Sequence, residues 1–330
     1  MENLPQLNSD SNIVIVGGGW FGCHTLRLLT EAGFNCLLLE SNNEIFMGSS
    51  GHNQNRLHLG YHYPRSYSTR IQSRNGYSKF VDKYGMCLAD VPNNIYSIHK
   101  DSILDAQTYL SIFRNEGYVY REAPLISAKH TASIFVNEKY INATIAKKYF
   151  SDFFEKKILY NQACRWEDGE LLANGDRISY DLLIDCTYGG MIPNLNYFKR
   201  GFISFIVKKI GDINFGALTV MDGPFYSIYP YSGDFFTVTG VVEGVVDGWV
   251  DSAVAYSIYL KLSKKIQLDF PAYDIVFEYF DYFFSWKNLP ISHDDRRDTV
   301  IRMLKKNVIS VSGGKIDTIF QVDEFFRPLL

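Results

Sequence analysis

The 330-residue chain carries 33 Lys and Arg against 36 Asp and Glu, a formal charge of −3, with 46% hydrophobic and 21% charged residues. That composition supplies a packed core and excludes general disorder, and the mild acidity excludes the electrostatic footprint of a nucleic-acid binder. The length suits one large two-part enzyme or two domains sharing an interface.

Residues 1–11 are polar and lack Lys and Arg, unlike a secretory leader. The run at 13–16 is apolar and stops at glycines, as a buried parallel strand does. Residues 20–32 follow helical spacing, with Gly33 placed to end the helix as a left-handed cap. Residues 35–40 form a second apolar strand ending in an acid, which completes a βαβ unit on a parallel sheet. Helices are predicted at 67–84, 101–115 and 143–156, with a strand at 133–136. Residues 180–186 are a further strand that runs into Thr187-Tyr188-Gly189-Gly190. From about 201 to 286 aromatic and β-branched residues dominate, which predicts an antiparallel sheet interrupted by a helix near 252–268. A last parallel strand is expected at 308–312, before Gly313-Gly314-Lys315. No stretch approaches the roughly 20 apolar residues that span a bilayer. Cys23, Cys36, Cys87, Cys164 and Cys186 are scattered without a CxxC pair, which predicts reduced packing thiols in a cytoplasmic protein.

Gly17, Gly19 and Gly22 satisfy G-x-G-x-x-G between a strand and a helix. The spacing asks for a tight turn, a bare backbone against a pyrophosphate and close helix–strand packing. Glu40, 23 positions after Gly17, stands where an acid accepts hydrogen bonds from a ribose. Ser41 follows it with no nearby Arg, which argues against a 2′-phosphate. The loop by itself does not separate FAD from NAD. The segment 45–81 then contains no Asp or Glu but holds Arg56, Arg65, Arg70, Arg74 and Lys79 with His52, His58 and His62. Such one-sidedness favours an anion nearby: a pyrophosphate, a reduced flavin or an acidic substrate.

Gly17–Gly22, Glu40, Ser49-Ser50 and the segment 53–63 resemble the D-amino-acid-oxidase-like superfamily of FAD enzymes, which includes glycine oxidase, glycerol-3-phosphate dehydrogenase and hydroxyglutarate dehydrogenase relatives. Gly51-His52-Asn53 and Leu57-His58-Leu59-Gly60-Tyr61-His62-Tyr63 look most like the hydroxyglutarate branch. The longer form through Pro64-Arg65-Ser66 is also similar to members tied to polysaccharide and natural-product pathways. Asp185-Cys186-Thr187 resembles the second FAD-contacting strand, with Tyr188 in place of the usual glycine. Gly313-Gly314-Lys315 resembles the segment that meets the flavin pyrimidine end at a helix amino terminus. Related flavin hydroxylases carry Gly-Asp there, which counts against a monooxygenase.

The resemblance implies an α/β fold: a Rossmann-like FAD-binding domain of the glutathione-reductase type with an inserted antiparallel β-sheet substrate domain. The expected division is 1–85, 130–200 and 287–330 for FAD, and 86–129 with 201–286 for substrate. It implies FAD contacts from Gly17, Gly19, Trp20, Phe21, Gly22, Glu40, Ser41, Ser49, Ser50, Asn53, Gln54, Arg56, Leu57, Cys164, Thr187, Gly314, Lys315 and Ile316. His58 is the first candidate base, since histidine titrates near neutrality. Tyr61 and His62 are candidates for lining the pocket, and Arg56 and Arg65 for clamping an anionic group. Tyr226 and Tyr229 fall on opposite strand faces, so one at most lines a site. Arg296 and Arg297 are further candidates to reach flavin or substrate. Some relatives attach flavin through a histidine placed like His52, but the expectation here is FAD held without a covalent bond.

Such an enzyme moves a hydride from a C–H beside a hydroxyl or amine of a small polar substrate, anionic substrates included, to flavin N5, as oxidase or dehydrogenase. The alternatives are a non-redox flavin enzyme of the sugar-mutase type and a flavoprotein subunit without catalysis. The only partner expected is the small-molecule substrate, with no nucleic acid and no membrane span; the oligomeric state is left open.

Overall fold

The computed structural model describes residues 4–193, 197–290 and 299–330, and contacts divide the chain into two compact units. Unit 1 is Met1–Gly51, Ala143–Lys199 and Asn288–Leu330; unit 2 is His52–Asn142 and Arg200–Lys287. Unit 1 draws on the start, middle and end of the chain, while residues 52–85 and 130–142 group with unit 2. Short strands Arg56–Leu57 and Leu88–Asp90 both pair with Lys139–Ile141, which ties those segments together.

Unit 1 is built on six strands in the order Val300–Lys305, Val308–Ser312, Leu182–Asp185, Asn12–Val16, Asn35–Leu39, Ile158–Leu159. All neighbours are parallel except the first two, which form an antiparallel edge hairpin. The central strands are mostly apolar and, Asn12 apart, buried along their length, as strands covered on both faces must be. Helix Trp20–Glu31 ends at Gly33, which adopts φ +92°, with Phe34 N–H donating to the Leu29 carbonyl at 3.0 Å. Helix Ala143–Phe153 stops before the expected 156 because Glu155–Lys157 tightens into a 3₁₀ turn. A three-stranded meander, Cys164–Glu167, Glu170–Ala173 and Asp176–Ile178, packs Leu171 and Ala173 against Val14, Val16 and Leu183. Its two turns are Asp168-Gly169 and Asn174-Gly175, all at positive φ, the mirror-image turns that favour a tight hairpin.

Unit 2 contains a nine-stranded sheet. Its path runs Val245–Val246, Tyr197–Lys209, Phe235–Gly240, Tyr226–Ser232, Ala217–Met221, Asn94–His99, His130–Phe135, Arg121–Glu122, and Phe277–Pro290 also pairs with Tyr197–Lys209. The sheet is mixed rather than purely antiparallel: Asn94–His99 lies parallel to Ala217–Met221, with Ile95 beside Leu218. Their separation in sequence supplies the long crossover that parallel pairing needs. Helix Ser252–Gln267 is capped by Asp251, which accepts from the Val254 N–H at 2.8 Å. It buries Ala255, Tyr259, Leu262 and Ile266 in a cluster with Phe205, Val207, Val238 and Phe277, at the spacing of one helix face. Helix Tyr67–Tyr84 matches its expected bounds, whereas Ala106–Asn115 starts five residues late because Asp105 caps it through the Thr108 N–H at 2.9 Å. No described helix is long and apolar enough to cross a membrane.

His130, 3% exposed, sets its Nδ1 against the Ser97 hydroxyl at 2.6 Å and its ring edge-on to His99. Burial, against a partial offset from Asp269, pushes its pKa down to about 4. The unfolded chain binds that proton more readily, so this contribution to stability is complete above about pH 6.5 and is lost as pH falls toward about 4. The melting temperature is therefore expected to drop across this window, and His130→Asn to drop less; equal slopes in thermal unfolding would refute the assignment.

Candidate functional site

Unit 1 brings the three sequence segments expected at the cofactor together. Gly17 takes φ +106°, and a Cβ there would lie 2.8 Å from the Cys186 carbonyl oxygen. A Cβ on Gly22 would lie 1.9 Å from the Gly17 carbonyl oxygen, and one on Gly313 would lie 2.1 Å from the Phe21 ring. Glycine loop, second strand end and last strand end thus pack at van der Waals contact. Helix Trp20–Glu31 begins at Gly19 without a side-chain cap or an acid in its first turn, so its positive end is left for an anion. The Trp20 N–H donates to Ser50 Oγ at 3.0 Å, and a Cβ on Gly19 would meet that oxygen at 2.9 Å. Trp20 itself contributes backbone: its ring is buried on Phe46 at 5.0 Å.

The Glu40 carboxylate is buried beside this turn. It accepts from Gly18 N–H at 2.6 Å on one oxygen, and from Asn42 N–H at 2.8 Å and Ser41 Oγ at 3.1 Å on the other. Cys164 follows Gln162, whose N–H donates to the Glu40 carbonyl at 2.8 Å; burial pushes the Cys164 thiol up to about 11, so it stays protonated. At the second strand end, Asp185 accepts from Thr187 N–H at 2.9 Å and Thr187 Oγ1 at 2.6 Å. Burial raises the Asp185 pKa against those donors. Tyr188 adopts φ +59°, so the tyrosine takes the left-handed backbone that a glycine would supply. Asn288 holds it, donating its N–H to the Tyr188 hydroxyl at 2.9 Å and its Nδ2 to the Tyr188 carbonyl at 2.8 Å.

After Gly313 and Gly314, the expected helix start is only a 3₁₀ turn, Ile316–Thr318, followed by the short helix Gln321–Phe326. Lys315 caps the turn, its carbonyl accepting from Thr318 Oγ1 at 2.7 Å. Ser312 Oγ and both Asp317 carboxylate oxygens are buried here without a hydrogen-bond partner among the described residues. Such orphaned groups are costly unless a polar ligand satisfies them. The bare turn, the helix start at a glycine with no acid in its first turn, the ribose-type acid and these orphaned oxygens fit FAD.

The remaining candidates lie in unit 2, where the structure revises several of them. Tyr61 is a core residue: it is 1% exposed, packs on Phe113 and Tyr118, and donates its hydroxyl to the Val119 carbonyl at 2.7 Å. Leu57 is fully buried and Gln54 is engaged by the sheet, its Oε1 accepting from Ser227 Oγ at 2.7 Å, so neither side chain is left for a cofactor. The Asn53 side chain accepts from the Asn55 N–H. His52 stacks on Phe283 at 5.5 Å. Arg56 is buried rather than poised as a clamp. Its Nη2 donates to Tyr96 Oη at 2.6 Å and Thr219 Oγ1 at 2.9 Å, and its guanidinium lies 4.6 Å from the Tyr229 ring centre. Burial opposes its charge, but Tyr96, Tyr229 and Glu138 more than offset this and hold it protonated. Of the two tyrosines on opposite faces, Tyr229 thus joins the Arg56 cluster, while Tyr226 belongs to the sheet core.

Glu138, absent from the sequence reading, completes the cluster. It accepts from Tyr96 Oη at 2.6 Å and Leu59 N–H at 2.7 Å, and faces His58 Nδ1 at 3.6 Å. Burial would raise its pKa, yet His58, Arg56 and Tyr96 together lower it. His62 stacks on His58 at 5.1 Å. The acid-free segment is likewise matched by distant acids: Arg65 pairs with Asp222 at 2.8 Å and Arg70 pairs with Glu116, whose carbonyl also accepts from Arg74. Its arginines therefore serve the fold, and the expected anion clamp at Arg56 and Arg65 is replaced by internal partners. Arg296 and Arg297 lie outside the described residues.

Glu40→Ala is expected to weaken FAD affinity about 10- to 100-fold, the worth of one or two hydrogen bonds to a charged group. Gly22→Ala is expected to abolish binding, because its Cβ has no space. Flavin fluorescence titration checks both, and unchanged affinity in either variant would refute this cradle.

The family model described as FAD dependent oxidoreductase matches residues 12–148. The FAD-dependent monooxygenase FPY4 of Fusarium mangiferae is 30% identical over 353 aligned positions, covering 100% of this chain and 94% of that protein. Among solved structures, glycine oxidase from Geobacillus kaustophilus superposes with a TM-score of 0.74 at 11% identity, covering 97% of this chain and 94% of that one. L-amino acid deaminase from Proteus vulgaris superposes with a TM-score of 0.70 at 11% identity, covering 98% and 90%. The two structures share the fold, and the full-length likeness to FPY4 extends to family. The chain belongs to the FAD-dependent oxidoreductases of the D-amino-acid-oxidase superfamily and is an oxidoreductase that uses FAD.

Proposed function

We propose that the protein removes a hydride from a carbon bearing a hydroxyl or amine on a small polar substrate, within a sugar or natural-product pathway, and that His58 takes the proton from the hydroxyl or amine. Bound FAD would supply the hydride acceptor. The observation that carries the reading is the His58 imidazole set 3.6 Å from a buried, charge-stabilised carboxylate, in the segment that directly follows the Ser49-Ser50 loop. An imidazole so placed can accept a proton and stabilise the resulting charge. With Arg56, Arg65 and Arg70 internally paired, hydrogen-bonding substrates such as alcohols and sugars suit unit 2 better than carboxylates. His52 stacked on Phe283 supports FAD held without a covalent bond, and five cysteines with no disulfide among the described residues support a reducing, cytoplasmic setting.

One observation favours a second reading, oxygen insertion: FPY4, similar over the whole chain, bears the name monooxygenase. Against it stands Gly313-Gly314-Lys315 where related hydroxylases carry Gly-Asp. Anaerobic mixing of the holoenzyme with hydroxy acids, amino acids and nucleotide sugars separates the two. Substrate alone is expected to bleach the flavin, and His58→Asn to slow bleaching about 100-fold or more. Bleaching only by a reduced nicotinamide nucleotide would overturn the proposal in favour of oxygen insertion.

A further inference from the structure

The His58–Glu138 contact has a direction. Glu138 Oε2 approaches Nδ1 of the imidazole, at 3.6 Å, which is beyond ordinary hydrogen-bond reach but close for a charge. A neutral imidazole carries a proton on one nitrogen and a lone pair on the other. A lone pair on Nδ1 would face the carboxylate and be repelled, whereas an N–H there is attracted. The carboxylate cannot turn away. Its Oε1 holds the Leu59 N–H, its Oε2 holds the Tyr96 hydroxyl, and Tyr96 is in turn held by Arg56 Nη2. Glu138 is 1% exposed, Tyr96 is fully buried, and Arg56 provides the balancing charge. Around His58 stand His62, stacked at an interplanar angle of 28°, and Tyr63, edge-on at 5.6 Å. Neither ring carries a fixed negative charge, so Glu138 is the anion that decides the tautomer among the described residues that these contacts bring to His58.

We propose that Glu138 is a positioning residue: anchored by Arg56, Tyr96 and the Leu59 N–H, it fixes His58 in the Nδ1–H tautomer and thereby presents Nε2 as the proton-accepting atom. This rests on the reading of His58 as the base. Arg56 then acts through Tyr96 and Glu138, three contacts away from the imidazole, and not on substrate. The proton balance is simple. Nε2 gains the proton that the substrate hydroxyl or amine loses, and the imidazolium charge so formed lies against the carboxylate.

The test uses FAD-loaded protein labelled with ¹⁵N-histidine, with the His58 signals assigned by their loss in His58→Gln. In the wild type at pH 9, the ¹⁵N shifts are expected to show the proton on Nδ1. In Glu138→Gln the signals are expected to move toward the commoner Nε2–H form, and the titration midpoint to fall by about 1 unit or more. An Nε2–H wild type would overturn the proposal, as would a Glu138→Gln variant with unchanged tautomer and midpoint. If Glu138→Gln fails to retain FAD, Glu138→Asp is measured in its place, and the wild-type spectrum alone still decides the tautomer. Failure of the underlying reading has a separate signature: His58→Asn reduced as fast as wild type by the same substrate, whatever the tautomer.

Discussion

A carboxylate without water must find its compensation inside the protein, and the Glu138 side chain organises unit 2 around that requirement. Two donors meet it from separate parts of the chain, Leu59 beside strand Arg56–Leu57 and Tyr96 on strand Asn94–His99, and the Arg56 charge balances it while holding Tyr96. Arg56 extends the network to Thr219 on strand Ala217–Met221 and to the Tyr229 ring. Removing one member of such a buried set strands the charge of another, at a cost of about 3–5 kcal/mol. The parallel pairing of Asn94–His99 with Ala217–Met221 and the small sheet that carries Arg56 are thus joined by side chains as well as by backbone. A histidine placed at the edge of this network inherits a fixed orientation without being packed into it.

Unit 1 is governed by close approach instead of charge. Its parallel strands end where Gly17, Gly22 and Gly313 allow backbone and rings to touch at distances that any Cβ would forbid. The charges there, Glu40 and Asp185, are answered largely by backbone N–H groups that the same turns aim at them. The cofactor half is accordingly intolerant of added atoms, and the other half intolerant of lost charges.

The features legible in the sequence were those encoded locally. A glycine spacing between strand and helix, an acid at the next strand end and uninterrupted apolar runs each specify structure within a few residues. Helix Tyr67–Tyr84 and the cap at Gly33 were readable for the same reason. The meander at 164–178 is not legible although Asp168-Gly169 and Asn174-Gly175 mark both of its turns, because its strands are only three or four residues long and each carries charge. The cluster in unit 2 was partly illegible in principle. The acid-free segment read as a surplus of positive charge, yet Glu116, Glu138 and Asp222 reach it from 46 to 157 positions away. Tyr61 looked available because nothing in its neighbours announced that Phe113 and Tyr118 would enclose it.

The chain order of the unit 1 sheet has a consequence for biosynthesis. Strand Leu182–Asp185, which carries the second cofactor turn, is flanked on one side by Asn12–Val16 and on the other by Val308–Ser312. As the chain leaves the ribosome, the first neighbour is available early, while the second emerges more than a hundred residues later. In that interval a largely apolar strand presents an unpaired edge, the kind of template on which chains associate wrongly. The later strands of the unit 2 sheet, from Tyr197–Lys209 to Phe277–Pro290, are synthesised within the same interval, before Val308–Ser312 emerges to close the edge. Low expression temperature and generous flavin supply should therefore favour recovery, by slowing association at that edge and by drawing late-closing chains into the bound form.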